Sequence, residues 1–260
     1  MKKTIVLSFL LTCSTILLIG QVSSKTIDSK FTLGAYGGLN IPKLTGGSGN
    51  PLSEGWSSRA GGAFGVTFTW NASTNFAWIA NILYSSEGGQ RNGMQAFDGT
   101  SFNPQAPAGT YFYADFKNEA ILNYLEVPVM AKYSISLGKS FRLHLNFGPY
   151  AGFLLNAKQK TSGSSIVYSD PAATQPISID PQSNQVFQVP FNATTDIKDQ
   201  IHNLNFGFLG GLGMSHNLGC GEITLNTSGA YGLINIQKYS QDGKNHTGNL
   251  LVSLGYSIPL

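Results

Sequence analysis

Four polar side chains on two neighbouring stretches of alternating sequence could act together. Glu126 and Lys132 lie six residues apart in one stretch, and Arg142 and His144 lie two apart in the next. If both stretches are β-strands of one hairpin, even spacing places each pair on a single face. We expect the four to form a structural network of ion pairs inside the fold, because an unpaired buried charge is costly. Proton relay or catalysis is the alternative role.

Two histidine–aspartate pairs are the other candidates for chemistry. His202 stands close to Asp199 and His246 close to Asp242, so either pair could serve an enzyme whose site lies at a loop rim. The chain carries no nucleophile elbow, phosphate loop, dinucleotide fingerprint or zinc-protease motif. We therefore predict no catalytic residues, no cofactor and no metal site.

The composition excludes several classes of protein. Only 11% of the 260 residues are charged, against about 25% in ordinary soluble domains. Aromatic residues make up 12%, glycine takes 31 positions, and no apolar run beyond the N-terminus approaches a spanning helix. Disorder and a helical membrane bundle do not fit, and the absence of a basic stripe argues against a nucleic-acid partner. The pattern favours β-structure that faces something other than water.

The N-terminus has the features of an export signal. Lys2 and Lys3 precede an apolar stretch, and small residues follow it. We predict a signal peptide over 1–24, with cleavage after Gly20 or after Ser24, and an exported domain over 25–260.

Eight segments alternate with period two at the length of a membrane β-strand. Their connections also alternate in length, as in outer-membrane barrels, which have short periplasmic turns and long outer loops. The short connections are 71–75, 134–140 and 215–221, and the long ones are 40–60, 85–119, 156–202 and 237–245. We expect loops 40–60, 85–119 and 156–202 to meet any extracellular partner or ligand, and Gly88-Gly89 to mark a flexible tip.

One face of these segments is apolar and the other is small or polar. If the apolar face meets lipid, aromatic residues beside the short turns form a periplasmic girdle: Trp70, Phe76, Trp78, Tyr133 and Phe141. A soluble, lipocalin-like barrel with an apolar interior, or a membrane barrel that admits a hydrophobic ligand, is the alternative. Because the polar face carries Gly, Ala and Ser rather than the Lys and Glu of soluble surfaces, the membrane arrangement is favoured.

Three motifs resemble the PorT-like outer-membrane β-barrel domain family. They are Gly-Ala-Tyr-Gly-Gly-Leu-Asn at 34–40, Asn-Tyr-Leu-Glu-Val-Pro-Val-Met-Ala-Lys-Tyr at 123–133, and Phe-Gly-Pro-Tyr-Ala-Gly-Phe-Leu-Leu at 147–155. The resemblance implies the location and the architecture but no site. Pro128 lacks a ladder donor, so we expect a bulge beside Glu126.

The sequence thus predicts an all-β, eight-stranded antiparallel up-and-down transmembrane β-barrel in the outer membrane. Its expected partners are outer-membrane lipid and the barrel-assembly machinery. The expected role is envelope-structural or loop-mediated binding without enzymatic activity, and the alternatives are the hydrophobic-ligand carrier and the loop-rim enzyme.

Overall fold

The computed structural model describes residues 29–47, 49–107, 109–138, 140–178, 186 and 188–260. The predicted signal peptide, 1–24, lies outside the described residues. Within the described part, no helix is both long and apolar enough to cross a membrane.

Eight long strands form the body of the fold, and three short strands lie in the connection after the fifth. The long strands are β1 (Phe31–Gly46), β2 (Gly61–Asn71), β3 (Phe76–Asp98), β4 (Tyr111–Leu137), β5 (Phe141–Ser162), β9 (Leu204–Asn217), β10 (Glu222–Gly232) and β11 (Asn245–Pro259). The short strands are β6 (Ser164–Ile166), β7 (Gln188–Pro190) and β8 (Ala193–Asp196), and a single helical turn, α1 (Gly99–Phe102), follows β3. Two 3₁₀ turns span Lys198–Gln200 and Ser240–Asp242.

The long strands pair antiparallel in the order β4-β3-β2-β1-β11-β10-β9-β5, and a β4–β5 pairing closes the ring. Chain neighbours pair throughout, except that β1 pairs with β11 and β5 pairs with β9. The first and last long strands therefore meet, as an up-and-down barrel requires. The predicted fold class is confirmed.

Alternation along each strand decides which side chains face outward. On β5, Leu145 and Phe147 are 55% and 59% exposed, whereas their neighbours His144 and Asn146 are buried in the lumen. The predicted girdle aromatics meet across strand pairs beside the short turns, where Trp70 lies opposite Trp78. An exposed apolar wall around a polar interior is the arrangement that lipid requires.

The predicted loop 85–119 is mostly strand, which corrects the sequence analysis. β3 and β4 stay paired for thirteen residue pairs beyond Ser85, from Ser86–Asn123 to Asp98–Tyr111. Gly88, expected at a flexible tip, lies buried within β3 at φ +116, where an added Cβ would collide with the Ala120 carbonyl oxygen. Glycine permits this close approach of two backbones, so Gly88-Gly89 is a site of tight packing.

The bulge expected beside Glu126 lies elsewhere. Pro128 keeps its register opposite Tyr150, whereas the register between β4 and β5 shifts between Asn123 and Tyr124. Asn123 is paired with Asn156 and Tyr124 with Leu154, so Leu155 of β5 is the extra residue of the bulge. The bulge therefore lies where the barrel continues beyond its lipid-facing part.

Candidate functional site

The end of the barrel that carries the long connections is closed by an apolar cluster, which we call the outer seal. Leu122 and Tyr124 of β4 and Leu154 of β5 project into the mouth and are fully or almost fully buried. Strands also supply Leu44, Ala120 and Ala157, and the connections supply the three isoleucines and Trp56. The complete set is Leu44, Ala120, Leu122, Tyr124, Leu154, Ala157, Ile197, Ile201 and Ile236, with Trp56 packed against it.

Hydrogen bonds to backbone carbonyl oxygens hold the connections that contribute to this seal. Ile201 and Gln237 form a β-bridge, and the His202 amide donates to the Ile236 carbonyl oxygen at 2.8 Å. Asn245 is fully buried, and its Nδ2 donates to the Ser53 carbonyl oxygen at 2.8 Å. Three connections are thus tied together above the lumen.

The first connection is also fixed to the outside of the barrel wall. The Arg59 Nε lies 2.9 Å from Glu119 Oε1 on β4, which is the only ion pair within the described residues. The guanidinium of Arg91 lies over the Trp56 ring, 4.7 Å from its centroid. Burial lowers the pKa of Arg91 to about 10, so this cation–π contact persists at neutral pH.

The outermost part of the β3–β4 pairing forms a projection that we call the outer platform (92–98 and 111–117). Seven pairs at about 3.3 Å per residue give it a length of roughly 20 Å along the strands. Five phenylalanines pack against one another near its tip, and Phe191 from the following connection stacks on Phe116. The members are Phe97, Phe102, Phe112, Phe116 and Phe191.

At the opposite end, the lumen forms a cavity of about 150 Å³ beside the short turns. Lys132, Arg142 and His144 all line it, together with Glu222, which the sequence analysis did not single out. Arg142 Nη2 donates to the Thr74 carbonyl oxygen. The charges of Glu222 and Arg142 both act on Lys132, although no ion pair joins these residues in the described structure. The structure thus brings together three of the four predicted network residues.

Glu126 lies apart from these three, deeper in the lumen and 2% exposed. Six residues along β4 separate it from Lys132, a distance of roughly 20 Å. The charged group that acts on Glu126 is Glu87 of β3, another residue that the sequence analysis missed. The buried Ile79 and Leu83 of β3 are odd-numbered, and continuing that alternation through Ser85 would have found Glu87.

The buried Glu87 side chain accepts three hydrogen bonds within the lumen. Its Oε1 accepts from Asn40 Nδ2 at 2.9 Å, from Ser85 Oγ at 2.5 Å and from Asn249 Nδ2 at 2.6 Å. These three donors come from β1, β3 and β11, so one buried carboxylate joins three strands. All three bonds end on the same oxygen, so they fix the position of this carboxyl group between the strands.

The two histidine–aspartate pairs are not assembled in the described structure. The His246 ring stacks on Tyr231 with centroids 5.9 Å apart, and no hydrogen bond joins it to Asp242. Burial raises the pKa of Asp242, and the nearby charge of Asp98 raises it further. His202 is exposed, and it likewise makes no hydrogen bond to Asp199 among the described residues.

The profile of one protein family, described as outer membrane protein beta-barrel domain, matches residues 20–238. No curated protein matches the chain. Among solved structures, the chain is similar to Ail, the attachment invasion locus protein of Yersinia pestis. The TM-score is 0.38 and the identity 10%, over 88% of this chain and 99% of that one.

Neisserial surface protein A gives a TM-score of 0.39 and 11% identity, over 89% of this chain and 98% of that one. The Escherichia coli outer membrane protease OmpT gives 0.33 and 9%, over 92% and 99%. At such TM-scores and identities, these likenesses carry no argument about function. The barrel rests on the strand pairing of this chain.

Proposed function

The chain belongs to the outer membrane protein beta-barrel domain family, and from that premise we propose a non-enzymatic surface-binding role in the outer membrane. In this proposal the barrel anchors the protein in lipid, and the outer platform meets a partner at the cell surface. The PorT-like relationship, the cleaved signal peptide and assembly by the barrel-assembly machinery are part of the same proposal.

This proposal rests on a difference between the connections that close the mouth of the barrel and the paired ends of β3 and β4. Three connections fold inward and close the mouth with the outer seal. In contrast, β3 and β4 stay paired beyond the seal for seven further residue pairs, from Asn92–Lys117 to Asp98–Tyr111. A barrel that served mainly for passage would not need a closed mouth, whereas an ordered projection suits recognition by loops carried on a rigid scaffold.

The two alternative functions have less support. A carrier of hydrophobic ligands needs an apolar interior, but half of the residues that line the cavity near the short turns are Thr, Ser or Asn, and Lys132 and Arg142 line it as well. A loop-rim enzyme needs a histidine held by its aspartate, whereas His246 is stacked on Tyr231. We therefore place the function at the outer platform.

The test compares complementation by the full chain and by a shortened chain. Cells that lack the protein are challenged with bile salts and complemented with either chain. In the shortened chain, a two-residue turn replaces residues 92–117 and links Arg91 to Asn118. These two residues are paired across β3 and β4, so the turn closes the hairpin at that point. We expect both chains to assemble in the outer membrane and only the full chain to restore resistance.

Histidine variants are the control for enzymatic activity in the same assay. His202→Ala and His246→Ala should complement as well as the full chain. If either variant assembles but fails to complement, the loop-rim enzyme replaces the binding proposal. If the shortened chain complements fully, the outer platform is not the functional part.

A further inference from the structure

The lipid-facing surface of β5 ends at a definite point. Phe147, Phe153 and Leu155 face outward and are 59%, 47% and 43% exposed, which marks the apolar wall up to the bulge. The next exposed residues on this strand are Lys158 and Lys160. The change from apolar to cationic side chains therefore falls at the outer boundary of the membrane-facing part.

Four lysines from three elements gather above this boundary, and we call them the lysine cluster: Lys117, Lys158, Lys160 and Lys198. Lys158 and Lys160 are two residues apart on β5, so they share a face at a spacing of roughly 7 Å. Lys117 lies opposite Ser162 on the paired strand β4. Lys198 Nζ donates to the Leu155 carbonyl oxygen at 2.9 Å, which holds one ammonium group at the edge of the apolar wall.

The acidic groups beside the cluster have other partners. Glu119 lies opposite Lys160, but its Oε1 is paired with Arg59 Nε at 2.9 Å. Asp196 lies opposite Lys158, and its Oδ1 accepts the backbone amide of Lys198 at 2.9 Å.

Further along the same strands, Asp115 lies two residues beyond Lys117, and Asp199 follows Lys198. None of the four lysines has an ion pair within 4.0 Å in the described part of the chain. Only Glu119 is neutralised by a cation, since the amide that donates to Asp196 carries no charge. The four lysines and Arg59 therefore face four carboxylates, which leaves a net charge of +1 around the cluster.

The distribution of lysine around the barrel is uneven. Strands β9, β10 and β11 carry none, and β1 presents Lys43 alone. An evenly spread set of lysines would indicate general solubility of the outer rim. Lys238 and Lys244 also lie on that side of the barrel, in the connection between β10 and β11. Lys158 and Lys160 differ from them because they share one strand and its outward face with the exposed Phe153 and Leu155. This arrangement indicates a surface for a molecule that is anionic at its head and apolar below it.

We propose that the lysine cluster binds the phosphate groups of an outer-leaflet glycolipid, whose acyl chains lie against Phe153 and Leu155. Clusters of lysine beside a membrane-embedded surface attract anionic lipid head groups, and an ammonium group binds phosphate as a point charge. The apolar wall commits the site to a lipid, because a free phosphate would use only the cluster. The inference does not depend on the partner of the outer platform.

The experiment uses the full chain folded in non-ionic detergent and purified lipid A that carries two phosphates. Native mass spectrometry measures the bound fraction against lipid concentration, and the same lipid A without its phosphates serves as the second probe. We expect the phosphorylated lipid to bind at least about tenfold more tightly, since each lysine near a membrane surface contributes measurably to attraction.

Two variants locate the effect. Lys158→Gln with Lys160→Gln should weaken binding of phosphorylated lipid A about tenfold while leaving the dephosphorylated lipid unchanged. Lys238→Gln with Lys244→Gln removes the same charge from exposed positions in the β10–β11 connection and should bind like the unaltered chain. A shift in gel mobility on boiling that equals the shift of the unaltered chain shows that each variant is folded.

Three results would overturn the proposal. One is equal affinity of the unaltered chain for the two lipids, and another is an equal loss in both double variants, which would mean that only net charge matters. The third is displacement of the lipid by millimolar inorganic phosphate, which would mean that the cluster binds phosphate without regard to the lipid. The comparison of the two lipids needs no variant, so it decides the question even if a variant fails to fold.

Discussion

The Phe191 ring lies flat against the Phe116 ring, with centroids 4.3 Å apart and an interplanar angle of 7°. Phe116 belongs to β4, whereas Phe191 belongs to the connection that follows β5, so this stack fastens the longest connection to the outer platform. Phe97 closes the group with edge-to-face contacts to both rings, at 6.2 and 5.5 Å. Aromatic packing of this type contributes about 0.5–1.5 kcal/mol per pair beyond burial.

Phe191→Ala is therefore expected to release the connection without opening the barrel. Loss of the stack and of the buried ring should lower the local stability by about 2 kcal/mol. Limited proteolysis of the folded protein should cut the variant within residues 163–192 faster than the unaltered chain, while the membrane-embedded strands stay intact. Phe191→Leu, which keeps an apolar side chain, should show a smaller increase, and an equal cutting rate in all three proteins would show that the stack does not hold the connection.

The outer seal is expected to keep the lumen closed to ions. The unaltered chain should give no steady conductance in a planar bilayer. Leu122→Ala leaves a cavity in the seal, which costs about 2–5 kcal/mol, so brief opening events should become more frequent. Ile82→Ala removes the same kind of side chain from a lipid-facing position that is 54% exposed, and it should cause no opening events in the bilayer. Steady conductance of the unaltered chain would contradict the seal.

Two buried charges in the lumen are expected to differ in their contribution to stability. Glu87→Leu removes the acceptor of three hydrogen bonds and leaves Asn40 and Asn249 without that partner, so unfolding in urea should become easier by about 3 kcal/mol or more. Lys132→Met removes a charge with no ion pair among the described residues and should change stability little. If Lys132→Met destabilises the barrel as strongly as Glu87→Leu, the predicted network around Lys132 holds the fold after all.

Asp242 is expected to make the β10–β11 connection sensitive to pH. Its carboxyl pKa is raised by burial and by the charge of Asp98, so the folded state favours the protonated form more than the unfolded state does. The ionised carboxylate therefore lowers the stability of the connection at neutral pH. This loss of stability disappears as the pH falls through the raised pKa and the group becomes protonated. Asp242→Asn should slow hydrogen exchange at residues 236–244 at pH 7.5, relative to the unaltered chain. The two proteins should exchange alike at pH 3, after correction for the intrinsic rate, and faster exchange in the variant at pH 7.5 would reverse the assigned sign.

The barrel could be predicted from the sequence because strand alternation is a local property. The runs around Phe141–Gly148 and Leu250–Ile258 show their faces without reference to any partner. The continued pairing of β3 and β4 could not be predicted in the same way, because Gly88-Gly89 has the composition of a turn. Its place within a strand depends on the close approach of Gly88 to the Ala120 carbonyl oxygen of β4. The bulge at Leu155 also depends on pairing between two strands, so Pro128 was a misleading local sign.

The candidate sites were predicted in part for the same reason. Alternation along a hairpin predicted one face for Lys132, Arg142 and His144, and the structure places all three in the lining of one cavity without an ion pair between them among the described residues. The alternation of inward and outward residues shows which side chains enter the lumen, but not how far along the barrel axis they lie. It therefore could not show that Glu126 lies near Glu87 and away from Lys132. The outer seal joins residues that are far apart in the chain, such as Leu44 of β1 and Ile236 of the β10–β11 connection, and no spacing in the sequence relates them.

The central claim is that eight strands close into a barrel that lies in the outer membrane. The most direct measurement is the gel mobility of the detergent-extracted protein, boiled and unboiled, in SDS. A closed barrel has no free strand edge and resists SDS until heated, so the unboiled protein should migrate as a distinct compact band that shifts on boiling. Identical mobility of the two samples, together with solubility in detergent-free buffer, would contradict the membrane barrel and favour the soluble carrier.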